Sequence, residues 1–187
     1  MRVIAGKARG VKLVVPQGLH TRPTADRVKE ALFSIIHSRF ELTNTNVLDL
    51  CCGTGGLGIE ALSRGAAFCC FVENDRNALI ALKKNLLTVK FREQAELLEM
   101  DVIKALGLIA ARGKEYDMIF FDPPYASELY GLVADGISRL TLLKHDGLFI
   151  AESSSRNILP EQIGSLVKID RRVYGDTALE LFTPEEK

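Results

Sequence analysis

From residue 46 onward, short apolar runs alternate with stretches of helical periodicity, and this constrains the fold more than any other feature. Strands are expected at 46–50, 69–73, 96–100, 117–121 and 147–152, and helices at 56–64, 75–88, 102–112 and 128–140. Strand and helix in strict alternation call for crossover connections, so the pattern implies a largely parallel sheet with helices on both faces. The run Met118-Ile119-Phe120-Phe121 has no polar interruption. It reads as a strand buried on both sides, as central strands of parallel sheets are. Two further strands, 166–174 and 178–183, look like a closing hairpin.

The chain of 187 residues, 47% of them hydrophobic, is sized for one α/β domain with a full core. Residues 1–40 are read as an extension and 41–187 as the core of that domain. Net charge is zero but unevenly spread. Residues 1–30 hold seven Lys/Arg (Arg2, Lys7, Arg9, Lys12, Arg22, Arg27, Lys29) against Asp26 and Glu30. That is about +5 on the arm and about −5 on the rest, which points to a polyanionic partner for the arm.

No apolar run has the length of a membrane span, and the amino terminus lacks the apolar core of a signal peptide. A cytoplasmic protein without a membrane partner is expected. The pairs Cys51-Cys52 and Cys69-Cys70 lack C-x-x-C spacing and read as reduced, small, buried hydrophobes. His20, His37 and His145 are scattered, so no metal site is expected.

Val3-Ile4-Ala5 and residues 11–15 flank a turn at 6–10, which reads as a β-hairpin with Lys7 and Arg9 at its tip. Beyond it, Thr24 is expected to cap a helix with Asp26 in its first turn and Val28, Ala31, Leu32, Ile35 and Ile36 on one face.

Two loops carry the chemistry. Asp49 to Gly58 reads D-L-C-C-G-T-G-G-L-G, with Glu73 20 positions after Gly53. Glycines after a strand allow a tight turn and close approach of a ligand, and the following helix presents free N–H groups. The spacing fits a nucleoside ligand without choosing among cofactors, a nicotinamide dinucleotide included. Asp49, at the strand tip, suits a cationic ligand better than a pyrophosphate. The second loop, Asp122-Pro123-Pro124-Tyr125, ends the fourth strand. Two prolines make it stiff, and it sits at the sheet edge where open α/β sheets bind ligands.

On these residues the chain resembles the S-adenosylmethionine-dependent amino-methyltransferases with an (Asp/Asn)-Pro-Pro-(Tyr/Phe) motif. More narrowly it is similar to the RsmD type, bacterial 16S ribosomal RNA guanine-N2 methyltransferases. The stretches 2–10 (R-V-I-A-G-K-A-R-G), 22–30 (R-P-T-A-D-R-V-K-E) and 174–179 (Y-G-D-T-A-L) support the narrower likeness. It implies a three-layer, Rossmann-like class I methyltransferase fold. The sheet would be mostly parallel and seven-stranded, with an antiparallel last strand and an N-terminal hairpin. It also implies S-adenosylmethionine as cofactor, S-adenosylhomocysteine as product, no metal, and a monomer acting on guanine 966 of 16S rRNA in an assembling 30S subunit.

Gly53, Gly55 and Gly58 would then shape the loop around the methionine part, with Asp49 near its amino group. Glu73 would accept from the ribose hydroxyls, and Asp101, with Val102 beside it, would face the adenine. Asp122 and the carbonyl of Pro123 would accept from the target amine, held by the stiff Pro124, while Tyr125 stacks on the extruded base. Lys7, Arg9, Arg22 and Arg27 would bind RNA phosphates. The residues leave adenine-N6 chemistry and a non-catalytic RNA-binding role open as alternatives.

Overall fold

The computed structural model describes residues 1–16, 23–123 and 129–185. The chain runs through α1 (Pro23–Arg39), β1 (Asn46–Leu50), α2 (Gly56–Ser63), β2 (Phe68–Glu73) and α3 (Arg76–Thr88). There follow β3 (Ala95–Glu99), α4 (Val102–Ala111), β4 (Tyr116–Phe121), α5 (Leu129–Arg139) and β5 (Leu143–Ser154). It closes with β6 (Gln162–Ile163), β7 (Leu166–Tyr174) and β8 (Thr177–Pro184).

The strands form one sheet in the order β3-β2-β1-β4-β5-β8-β7-β6. β3 through β5 are parallel, and β8 enters antiparallel to β5 and β7. The expected seven strands are therefore present, with the two-residue β6 as an eighth at the edge. The order reverses between β1 and β4, which places the topological switch point at their carboxyl ends.

Alternation along each strand feeds two cores. On one face Val47, Phe71, Phe120 and Ile150 pack with Leu32 and Phe33 of α1, Ile59 of α2 and Leu82 of α3. On the other Leu48, Val72, Phe121 and Phe149 pack with Leu106 of α4 and Val133 of α5. Met118 to Phe121 are all buried, two residues to each core, as the unbroken apolar run requires.

The N-terminal segment turns back on itself as the expected hairpin, in abbreviated form. Around the single bridge Arg2 with Lys12, Val3 N–H donates to the Val11 carbonyl, Leu13 N–H to the Met1 carbonyl and Gly10 N–H to the Val3 carbonyl, with Val3 and Leu13 turned into the core. The segment lies along α2. Buried Glu60 accepts from the backbone N–H groups of Ile4 (2.8 Å) and Ala5 (3.0 Å). Ser63 accepts from Ala8 N–H and donates to the Ala5 carbonyl. Gly6, at φ +82°, passes so close to the Ser63 carbonyl that a Cβ there would overlap it. Lys29 is buried, 3.5 Å from Glu60, and donates to the Arg2 carbonyl, so it does not belong to the exposed basic set. Helix α1 begins at Pro23, which puts Thr24 inside its first turn and not at the cap.

Candidate active site

The glycine loop is braced at both ends by carboxylates from neighbouring strands. Glu73, ending β2, accepts from Gly53 N–H at 2.8 Å through Oε2, and from Asn74 and Asp75 through Oε1. Asp49, in β1, accepts from Gly58 N–H at 2.8 Å. Positive φ angles at Cys51, Gly53 and Gly55 bend the chain back between these anchors. The glycines do different work. A Cβ on Gly53 would meet nothing within 4 Å, so its side is open. A Cβ on Gly58 would strike Phe71 and Cys69, so that glycine serves close packing of helix on sheet.

Asp49 is 1% exposed. Burial pushes its carboxyl up to about 8 against the pull of the Gly58 bond, and the nearby Asp122 and Glu73 add to the rise. Asp122 follows the last residue of β4, open to solvent along one side, while the packed sheet edge behind it raises its carboxyl to about 7. Asp101 caps α4, its Oδ1 accepting from Ile103 and Lys104, with Val102 buried next to it.

Glu152, on β5, passed unnoticed in the sequence. It is half-buried, and burial followed by the charge of Asp122 raises it to about 8. Its signal was available, since it is a carboxylate closing an apolar strand, as Glu73 and Asp122 are.

Asp49, Glu73, Asp101, Asp122 and Glu152 thus gather at the carboxyl edge of the sheet around the switch point. Pro123 is buried beside them. Pro124 and Tyr125 lie outside the described residues, as does Arg22. Lys7, Arg9 and Arg27 are exposed. Cys52, Cys69 and Cys70 are buried free thiols and Cys51 is half-buried; burial pushes the Cys51 thiol up to about 12. Among the described residues no His/Cys/Asp/Glu group could hold a metal ion, and no helix is long and apolar enough to cross a membrane.

An open, mostly parallel sheet ending in an antiparallel strand, with a braced glycine loop at its switch point and an Asp-Pro step on the adjoining strand, is the architecture of a Rossmann-like methyltransferase. The family model described as Conserved hypothetical protein 95 matches residues 1–183. The Ribosomal RNA small subunit methyltransferase D of Escherichia coli K12 is 34% identical over 188 residues, covering 99% of this chain and 90% of that one. Bacillus subtilis YlbH is 38% identical over 182 residues, covering 97% and 98%. The structure of Escherichia coli yhhF superposes with a TM-score of 0.86 at 34% identity, covering 100% of this chain and 99% of the other. The chain belongs to this family, the RsmD-type S-adenosylmethionine-dependent methyltransferases.

Proposed function

We propose that this protein methylates the exocyclic N2 of a guanine in 16S ribosomal RNA, guanine 966, during assembly of the small subunit. The observation that carries the reading is Asp122, a carboxylate open to solvent at the switch point, on the strand next to the braced glycine loop. The ribosomal RNA small subunit methyltransferase name of the E. coli relative supports the polymer.

The residues at the edge fit S-adenosylmethionine. Buried Asp49, with its carboxyl raised, is relieved by a cationic amino group, and the open side of Gly53 leaves room for the chain that carries it. Glu73 would hold ribose hydroxyls with the acceptor capacity its three backbone bonds leave, and Asp101, beside Val102, would accept from the adenine amino group. The chemistry supplied by bound S-adenosylmethionine is an electrophilic sulfonium methyl, with S-adenosylhomocysteine left behind.

The guanine amine is a poor nucleophile because its lone pair is delocalised into the ring. Asp122 and the Pro123 carbonyl accept its two N–H hydrogens, which favours a pyramidal nitrogen and stabilises the positive charge that develops in attack. Asp122, raised to about 7, then takes the proton the methylated nitrogen sheds and passes it to water. Tyr125 stacks on the base, while Lys7, Arg9, Arg22 and Arg27 hold phosphates.

The test is transfer of labelled methyl from S-adenosylmethionine to small-subunit particles from cells lacking the gene, followed by nucleoside analysis. N2-methylguanosine is the expected product. N6-methyladenosine, or binding of RNA without transfer, overturns the reading.

A further inference from the structure

Of the five carboxylates at the sheet edge, three are already engaged by backbone N–H groups. These are Asp49 with Gly58, Glu73 with Gly53, Asn74 and Asp75, and Asp101 with Ile103 and Lys104. Asp122 and Glu152 stand apart. Among the described residues neither carboxylate has a hydrogen bond or an ion pair; Glu152 is half-buried and Asp122 is open to solvent along one side.

The two are also neighbours. β4 and β5 run parallel with Phe121 opposite Ala151, so Asp122 and Glu152 come one step later on adjacent strands. Alternation puts both on the face that carries α1 and α2. Glu152 pairs across with Leu179, whose side chain belongs to the core of that same face. The Tyr130 hydroxyl donates to the Glu152 carbonyl at 2.8 Å and fixes the strand end.

Without donors both carboxyls are held up, Glu152 to about 8 and Asp122 to about 7, so near neutral pH the pair retains a proton until N–H donors favour its ionised form. A ligand that brings several N–H groups at once relieves both. Ionised carboxylates only accept. The guanine Watson–Crick edge offers three N–H hydrogens in a row, one on N1 and two on the N2 amine. Adenine instead places a lone pair on N1 beside its amine, and an ionised carboxylate repels that lone pair.

We propose that Glu152 accepts the N1–H of the target guanine while Asp122 accepts from its N2 amine, so that the pair selects guanine over adenine. This rests on the guanine-N2 reading above and supplies the base choice that Asp122 alone does not.

The probe is an RNA containing the target guanine, mapped first with the wild-type enzyme, and the same RNA with 2-aminopurine at that position. 2-Aminopurine keeps the 2-amine but has a bare N1. Wild type is expected to prefer guanine by at least about 100-fold in kcat/KM, since a site built to accept an N–H is left unpaired by the analogue. In Glu152→Gln the amide can donate to the bare N1. The guanine to 2-aminopurine ratio should therefore fall by at least about tenfold, with affinity for S-adenosylhomocysteine unchanged by calorimetry.

Equal loss on both RNAs, with the ratio unaltered, marks Glu152 as structural and overturns the proposal. Should Glu152→Gln fail to bind S-adenosylhomocysteine, the wild-type ratio decides, and equal rates on guanine and 2-aminopurine contradict the proposal. Wild-type transfer to guanine with an unaltered variant ratio removes only the role of Glu152. No wild-type transfer to guanine removes the guanine-N2 reading, and this proposal falls with it.

Discussion

In the proposed mechanism a single carboxylate, Asp122, accepts hydrogen bonds and then a proton. Asp122→Asn keeps the shape and loses the charge, so methyl transfer in single turnover should fall by about 10²–10³-fold, while S-adenosylhomocysteine still binds. The same residue sets a pH profile. Its carboxyl, held at about 7, must be ionised to act, so transfer should climb as pH rises through about 7. Asp49 gives a stability prediction. Its folded carboxyl lies at about 8, above the ordinary Asp value of 3.8, because burial opposes its charge. The folded state therefore binds the proton more tightly than the unfolded one. That stabilisation is complete below pH ~4 and is lost as pH rises through about 8. Urea unfolding without cofactor should show stability declining across that window, and Asp49→Asn should flatten the decline. Asp122 and Glu152 contribute in the same direction.

Among the elements, α2 joins the N-terminal segment to the glycine loop. Glu60 sits inside it with no exposed surface, bonded to two backbone N–H groups of the segment and paired with Lys29 and Arg64. Glu60→Ala leaves Lys29 buried without its partner and should cost about 3–5 kcal/mol in urea unfolding. Little of this was readable beforehand. Glu60 and Ser63, and Asn85 of α3, which accepts from Val14 N–H, lie 55 to 71 residues from the N-terminal backbone they hold, and a polar residue in a helix looks the same in sequence whether it faces water or a buried segment. Strands were the opposite case. In the central strands two-sided burial writes itself as apolar runs, so β1, β2 and β4 fall within a residue of expectation. β5 runs longer because Lys144 to Asp146 carry polar side chains past a bulge, and β6, at two residues, is too short to show a period. At the site, the residue types and strand ends were legible. That Glu73 and Asp49 grip Gly53 and Gly58 was not, because those bonds exist only once the strands are side by side.

Across the whole molecule, a sheet edge lined by carboxylates is combined with exposed basic residues on the N-terminal segment. Lys7 and Arg9 are exposed on a segment pinned to α2, so their charge is presented from a fixed position. Reversing both, Lys7→Glu with Arg9→Glu, should weaken binding to small-subunit RNA. It should also lower the slope of log affinity against log salt by about 1–2, the change expected for two lost phosphate contacts. Asp122 is proposed to serve methylation of the N2 of one guanine in 16S rRNA. The most direct test maps N2-methylguanine along 16S rRNA in cells with the gene, without it, and with Asp122→Asn restored at matched protein level. One N2-methylguanine is expected, lost with the gene, regained with the wild-type copy and still missing with Asp122→Asn. An unchanged methylation map without the gene, or full restoration by Asp122→Asn, would contradict the proposal.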